Sequence, residues 1–561
     1  MVNNKNNQLK FLILGGVNNI GRNCYVVEYG KDIVVVDLGF GFPEATEYGT
    51  NYLIPDIDYL KKRRDRIRGI VISHAHMDHI GALPFVLEDL GFPTIYGREF
   101  VIAFIKEKLK EFGLDKKARY RVIETKKDIV LNSITVRLAN VTHTIPQSSA
   151  VFLKTPAGNV LYTGDYMFDD NPVNEPRSDY DELRKFGQVG VDLVCMDSTN
   201  VFEEGKTKSE TEIANVLDGI VKRAEGRVIA ATFASLGTRI HSLIEIARKH
   251  RRRVVVTGWS MKTMISVLRS IGYIKVNEDI FLSEKDISKV PDNQVLILAT
   301  GTQGEEMSAL SRMSRDEHMN IKIKSTDTII LSSSVVPGND VPVQHLLENI
   351  LRLGARVFHY KFMDVHSSGH GYKEDMKEMY NLVQPKNAIP VHGWPSQTHE
   401  LGYLLNRWGM KRENILTPEV GQIFSFDRRN GRWSKGKKIK CKTVYVEGGS
   451  VGETGQAIIK ERATLASYGI VLVLMNLSKN FRLIGEPFVV SRGFVYVKKS
   501  QPILQMISRE ARNVFKKWRG SEADISKSDL KRLRDAVDKA VGRMIYKKTE
   551  RKPIVVTEVV L

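Results

Sequence analysis

Short apolar runs separated by turns fill the first third of the chain. Segments 11–14, 33–37, 69–73, 134–138 and 160–163 are rich in β-branched residues and read as buried strands. Between them, 56–68 and 100–112 carry helical spacing. From residue 207 the alternation becomes regular. Helix-like 210–225 precedes strand-like 227–232, and helix-like 239–250 precedes 253–257, with further strands at 295–299 and 328–332. That order predicts a parallel, doubly wound sheet. The stretch 427–443 reads as a basic linker or edge segment. After it come strands at 470–475 and 494–497, then helices over 501–518 and 528–546.

The 561 residues are 42% hydrophobic and 27% charged, which excludes disordered, collagen-like and mini-protein classes. Lys and Arg number 84 against 65 Asp and Glu, a net charge of +19 that favours a polyanionic partner. The three cysteines, Cys24, Cys195 and Cys441, are too scattered for a disulfide framework or a thiolate zinc site. No apolar window reaches the roughly 18 residues of a membrane span, and the N-terminal run is too short for a signal peptide. The expectation is a reduced, cytoplasmic protein with no membrane partner.

The chemistry concentrates after the strand-like segment 69–73. There, in Ser73-His74-Ala75-His76-Met77-Asp78-His79, three of the chain's 13 histidines fall within six residues beside an aspartate. A lone histidine is usually a packing or surface residue; four coordinating side chains in six positions are not needed for packing and point to metal. One loop cannot wrap every side chain around one tetrahedral ion, so the ligands divide between two adjacent ions. Imidazole and carboxylate without thiolate suit zinc or manganese. Ions about 3.5–4 Å apart would activate one water and clamp a phosphoryl group. His143, Asp165 and His392, each at the end of a strand-like run, complete the set, and Asp37 is a candidate to orient a histidine.

His74-x-His76-x-Asp78-His79 with Asp37, His143 and Asp165 resembles the metallo-β-lactamase fold. The ordered segments IGRNCYVVEYG, HIGALPFVL, THTIPQS, DSTN, ATFAS, GTQGEEMSALSRM, LSSSVVPGN, HSSGHG, IPVHG, SRGFVYV and KKTERKPIVV resemble its β-CASP branch and, more narrowly, the bacterial ribonuclease J family. The resemblance implies an α/β architecture: a metallo-β-lactamase αββα sandwich, an inserted doubly wound β-CASP domain and a small α+β C-terminal domain. The expected division is 1–206 and 363–426 for the metal domain, 207–362 for the insertion, 427–450 for a basic linker and 451–561 for the C-terminal domain.

By that resemblance His74, His76 and His143 hold one zinc, Asp78, His79 and His392 the other, and Asp165 bridges. Asp197, His370 and His392 match the β-CASP motifs. The catalytic candidates are Asp78, Asp197 and His370, with His370 protonating the departing 3′ oxygen. Phe233, Ala234 and Ser235, facing His366, Ser367, Ser368, Gly369 and His370, are the implied RNA-phosphate contacts. A structural calcium ion would map to Gly49, Asn51 and Glu447, with Asn51 standing in place of Asp. The implied activity is zinc- or manganese-dependent 5′→3′ exonuclease and endonuclease cleavage of single-stranded RNA, in mRNA decay and rRNA maturation. Implied assemblies are a homodimer or homotetramer, with a paralogous subunit, ribosome or RNA helicase as candidate partners.

The chain departs from the family pattern in places. Met77 replaces a common Glu, Leu236-Gly237-Thr238-Arg239 replaces Asn-x-His-Arg, and Trp394-Pro395-Ser396 replaces an acidic-aromatic-basic triplet. Asn18-Asn19 stands for Gly-Glu. Fold alone does not set function, so a thioesterase or lactamase, a β-CASP DNA-processing nuclease and an inactive scaffold subunit are the competing classes. The insertion, the HSSGHG turn and the +19 charge oppose a small uncharged substrate; the intact ligand set opposes a scaffold.

Overall fold

The computed structural model describes residues 8–44, 46–336, 338–452, 455–494, 501–521 and 529–561. Its compact units are Met1–Gly41 with Leu53–Val444, and Phe42–Tyr52 with Tyr445–Leu561.

In the first unit two mixed sheets lie face to face. One runs Arg432–Lys438, Gln422–Asp427, Leu9–Gly15, Cys24–Tyr29, Asp32–Val36, Ile67–Val71, Ile95–Gly97, Tyr120–Val122 in spatial order; the other runs Ala388–Val391, Leu193–Asp197, Asn159–Tyr162, Ser149–Lys154, Ile134–Asn140, Ile129–Leu131. Alternating side chains such as Ile134, Val136 and Leu138 point into a shared core with Phe11, Tyr25, Val34, Val71 and Phe424. Helices Tyr180–Val189, Lys373–Val383 and Pro395–Arg407 supply residues to a second core on Phe152, Val194 and Met196. This is a layered α/β sandwich.

Between the two chain halves that build it sits a separate six-stranded sheet, all parallel, in the order Phe281–Leu282, Arg253–Val256, Val295–Ala299, Val228–Ala231, Thr328–Leu331, Arg356–His359. Its central strands are buried and nearly continuous in Val, Ile and Leu, as parallel strands covered on both faces must be. The C-terminal unit packs helices Gln501–Ser521 and Asp529–Thr549 on the sheet Phe488–Arg492, Ile470–Asn476, Ile554–Val560.

Two expectations change. The segment 56–68 forms only the single turn Asp58–Lys61 and a 3-10 turn at Arg64–Arg66, because Ile67 already pairs with Ile33 in the sheet. The 427–450 stretch is not a plain linker: Arg432–Lys438 is the outermost strand of the eight-stranded sheet, anchored by Trp433 in the core. Its lysines and arginine face solvent, the usual protection of an open edge. Residues 495–497 of the strand expected at 494–497 lie outside the described residues; a strand is found just before it, at Phe488–Arg492.

Candidate metal centre

Six of the histidines and aspartates of interest sit at or just past the end of a strand. Asp37 follows Asp32–Val36, His74 follows Ile67–Val71, His143 follows Ile134–Asn140, Asp165 follows Asn159–Tyr162, Asp197 closes Leu193–Asp197, and His392 follows Ala388–Val391. Parallel pairing of Asp197 with Val391, and of Val36 with Val71, brings those ends to one rim of the sandwich. Asp37 and His392 adopt left-handed backbone, with φ of 59° and 54°. That conformation is costly outside glycine and is common at functional sites.

Potential ligand atoms gather in two groups that share Asp165. His74, His76, His143 and Asp165 form one; Asp78, His79, Asp165 and His392 form the other, with ligand atoms in each group within 4.8 Å of one another. Hydrogen bonds fix which ring nitrogen faces inward. His79 Nδ1 donates to Asp37 Oδ2 at 2.7 Å, which turns Nε2 toward Asp165 Oδ2 at 3.1 Å. Asp37 is itself held by Ser73 N and Oγ, each at 2.8 Å. His143 Nδ1 donates to Gly369 O at 2.5 Å and presents Nε2 to His76 Nδ1 at 3.0 Å. His392 Nδ1 pairs with Thr199 Oγ1 at 2.7 Å, while Nε2 lies 3.0 Å from Asp78 Oδ2. Such outer partners are how metal sites set the tautomer of a ligating histidine.

The donor set fits divalent ions. His74 Nε2 and Asp165 Oδ1 are buried without a hydrogen-bond partner, a costly condition that a cation relieves, and His76 faces the cluster through Nδ1. Burial, aided by neighbouring imidazoles, holds His74 well below the usual histidine range, and burial brings His76 down to about 4. Burial, with the His76 and His370 rings beside it, likewise holds His143 well below the usual histidine range. These three are therefore neutral, the form that coordinates. In the second group burial opposes charge on His79 and His392, but the Asp165 carboxylate leads the groups that outweigh it and pushes both up, His392 to about 10.

His370 lies beside this centre. Its Nδ1 is 2.7 Å from Asp197 Oδ2 and its Nε2 is 3.9 Å from Asp165 Oδ2. Burial lowers its pKa, but Asp197 and Asp165 more than compensate and raise it. The turn 366–370 is tied down on several sides. Asn200 Nδ2 donates to Ser368 Oγ at 2.7 Å and to His370 O at 2.9 Å, and Ser367 Oγ donates to Lys208 O at 2.6 Å. Ser367 therefore anchors the turn with the hydroxyl expected to reach phosphate. A Cβ on Gly369 would collide with the His143 ring, so glycine is required by that close approach.

Phe233, Ala234 and Ser235 form the half-buried turn between strand Val228–Ala231 and helix Gly237–Lys249. The next residues connect them to the metal domain: Thr238 Oγ1 donates to Thr144 O at 3.1 Å, and Arg239 Nη1 to Val365 O at 2.8 Å. Thr199, Asn200, Asn23 (3.1 Å from His79 Nε2) and Arg239 are site-building residues that local spacing did not single out. Thr199 and Asn200 stand inside the DSTN segment, the one sequence signal that pointed to them. Gly49, Asn51 and Glu447 do come together in the second unit, but around the guanidinium of Arg462.

Fold and site define a metallo-β-lactamase-type hydrolase with a β-CASP insertion. Family models agree: the metallo-beta-lactamase superfamily over residues 18–198, the ribonuclease J beta-CASP domain over 225–350, the Zn-dependent metallo-hydrolase RNA specificity domain over 359–415, and the ribonuclease J C-terminal domain over 457–560. The chain is 33% identical over 550 residues to ribonuclease J2 of Bacillus subtilis (strain 168), covering 98% of each. It is 35% identical over 553 residues to ribonuclease J of Mycolicibacterium smegmatis, covering 98% of this chain and 97% of that one. The chain belongs to the ribonuclease J family of metal-dependent ribonucleases. Among solved structures, a protein of unknown function from Enterococcus faecalis V583 shares the fold, with a TM-score of 0.56 at 15% identity over 75% of this chain and all of that one. No helix among the described residues is long and apolar enough to cross a membrane.

Proposed function

We propose that the protein is a zinc-dependent ribonuclease that cleaves single-stranded RNA both from the 5′ end and internally. The observation that carries this reading is the pair of ligand groups meeting at Asp165, with His74 Nε2 and Asp165 Oδ1 buried and without a hydrogen-bond partner. His74, His76 and His143 would hold one ion, and Asp78, His79 and His392 a second, with Asp165 between; manganese suits the same donors. When bound, such a pair supplies positive charge to phosphoryl oxygens and acidifies a water for attack.

The chain's own residues do the rest. Asp197 accepts from His370 Nδ1 and so fixes the ring, leaving the Nε2 proton for the departing 3′ oxygen. Asn200 occupies Ser368 Oγ as an acceptor, which frees the Ser368 hydroxyl proton for a phosphate oxygen. Backbone N–H groups of the turn 366–370 add donors of the kind that recognise phosphate without reading sequence. Asp37 and Thr199 keep His79 and His392 in their ligating orientation. A net charge of +19 supports attraction of a polyanion. The domain division at 206/207 and 362/363, and a homodimer or homotetramer, belong to the same proposal.

End-labelled 5′-monophosphate RNA and the matching DNA strand, each incubated with zinc-loaded protein, test it. A ladder from RNA alone is expected. Equal cleavage of DNA would favour a DNA-processing nuclease, and no cleavage of either would favour a scaffold subunit.

A further inference from the structure

Gly49, Asn51 and Glu447 were expected to hold a structural calcium ion, and the geometry around them does not suit one. Calcium takes about six to eight oxygens, several of them carboxylate. Of these three residues only Glu447 offers a carboxylate, and both of its oxygens are engaged: Arg462 Nη1 donates to Glu447 Oε2 at 3.0 Å and Nη2 to Oε1 at 2.9 Å. The same Nη1 donates to Tyr48 O at 3.1 Å. Asn51, neutral where the family resemblance implies Asp, accepts from Gly448 N at 2.7 Å through its side-chain oxygen. Gly49 has a φ of +80°, and a Cβ there would strike Arg462 Nη1. The glycine accommodates the guanidinium.

We infer that Arg462 is a built-in cation that replaces the divalent ion at this place. From helix Gln456–Tyr468 it clamps the excursion Phe42–Tyr52 onto the rest of the C-terminal unit through Glu447 and the Tyr48 carbonyl. A bidentate fork matches a carboxylate in a way a spherical ion does not need to, so the two solutions are mutually exclusive. The Asp-to-Asn change at 51 removes charge that one guanidinium could not balance. The excursion is thus held by covalently supplied charge and needs no metal.

Calcium-depleted, zinc-loaded protein titrated with CaCl2 tests this directly. No saturable heat and no change in unfolding temperature are expected. One-site binding that raises the unfolding temperature and is abolished by Glu447→Gln would overturn the inference. A double-mutant cycle provides a second readout. Arg462→Ala and Glu447→Gln are each expected to lower the unfolding temperature of the C-terminal unit by about 4 °C, and the double variant by no more than either alone. Fully additive losses would show that the pair is not the clamp.

Discussion

Arg239 in the inserted domain and His76 in the metal domain both belong to polar clusters taken out of water, and the two clusters are finished differently. Arg239 is fully buried, and all three guanidinium nitrogens donate: to both Glu210 oxygens at 2.8–3.1 Å, to Ser332 Oγ and to Val365 O. Arg227 and Asp327 repeat the pattern at the opposite end of the same sheet. Around the candidate metal centre, His74 Nε2 and Asp165 Oδ1 are buried without a hydrogen-bond partner. A polar cluster that closes on itself holds the fold; one that leaves lone pairs converging on a point awaits something else. The contrast distinguishes these two clusters by whether their buried polar atoms are paired within the protein.

The largest expected effect lies in the unfinished cluster. His76→Ala should reduce RNA cleavage by about 10³-fold or more, while leaving the metal-free unfolding temperature within a few degrees of wild type. Zinc at 100 times its dissociation constant should stabilise the wild type by about 2.7 kcal/mol and the variant by less. Cleavage at wild-type rates would sink the ligand assignment. Next in size, His370→Ala should lower kcat by about 10²–10⁴-fold with metal content and KM retained. A loss confined to KM would make His370 a binding residue.

How much of this could be read from the chain depends on sequence distance. The cluster from His74 to His79 is local, so spacing alone exposes it. Thr199 and Asn200 act on His392 and the 366–370 turn, which come close only because Leu193–Asp197 and Ala388–Val391 are neighbours in one sheet. Arg239 looks like an ordinary helix residue until Glu210, Ser332 and Val365 converge on it. The errors have the same origin. Helical spacing over 56–68 gave way to strand pairing of Ile67 with Ile33, and for the basic run, read as a linker or an edge segment, the burial of Trp433 decides for the edge strand 432–438.

The finished cluster predicts stability loss rather than loss of chemistry. Arg239→Met strands the Glu210 carboxylate in the interior and should cost about 3–5 kcal/mol, whereas replacing both partners by well-packed apolar residues should recover much of it. Denaturant unfolding of the single and double variants checks this. A single-variant cost under about 1 kcal/mol would mean that water reaches the pair, and the contrast with the metal centre would fail. Zinc content of the Arg239→Met protein, wherever it folds, should match wild type, since no metal ligand touches the guanidinium.

Asp32 gives the smallest effect and a pH signature. Burial alone would raise its pKa, but Ser133 Oγ at 2.5 Å, Arg68 Nε at 2.5 Å, Ser133 N at 3.1 Å and Asn132 Nδ2 at 3.2 Å together bring it down to about 2. A carboxylate with a depressed folded pKa contributes stability above its unfolded value, near 3.9, and loses it as pH falls through the folded value. Asp32→Asn should therefore cost about 1–2 kcal/mol at pH 7, and the gap between variant and wild type should close as pH falls from about 4 toward 2. Unfolding temperatures of the two proteins, compared at pH 7, 4 and 3, measure it. A gap that stays constant across that range would assign the loss to packing, and Asp32 would no longer count among the carboxylates that hold the fold by charge.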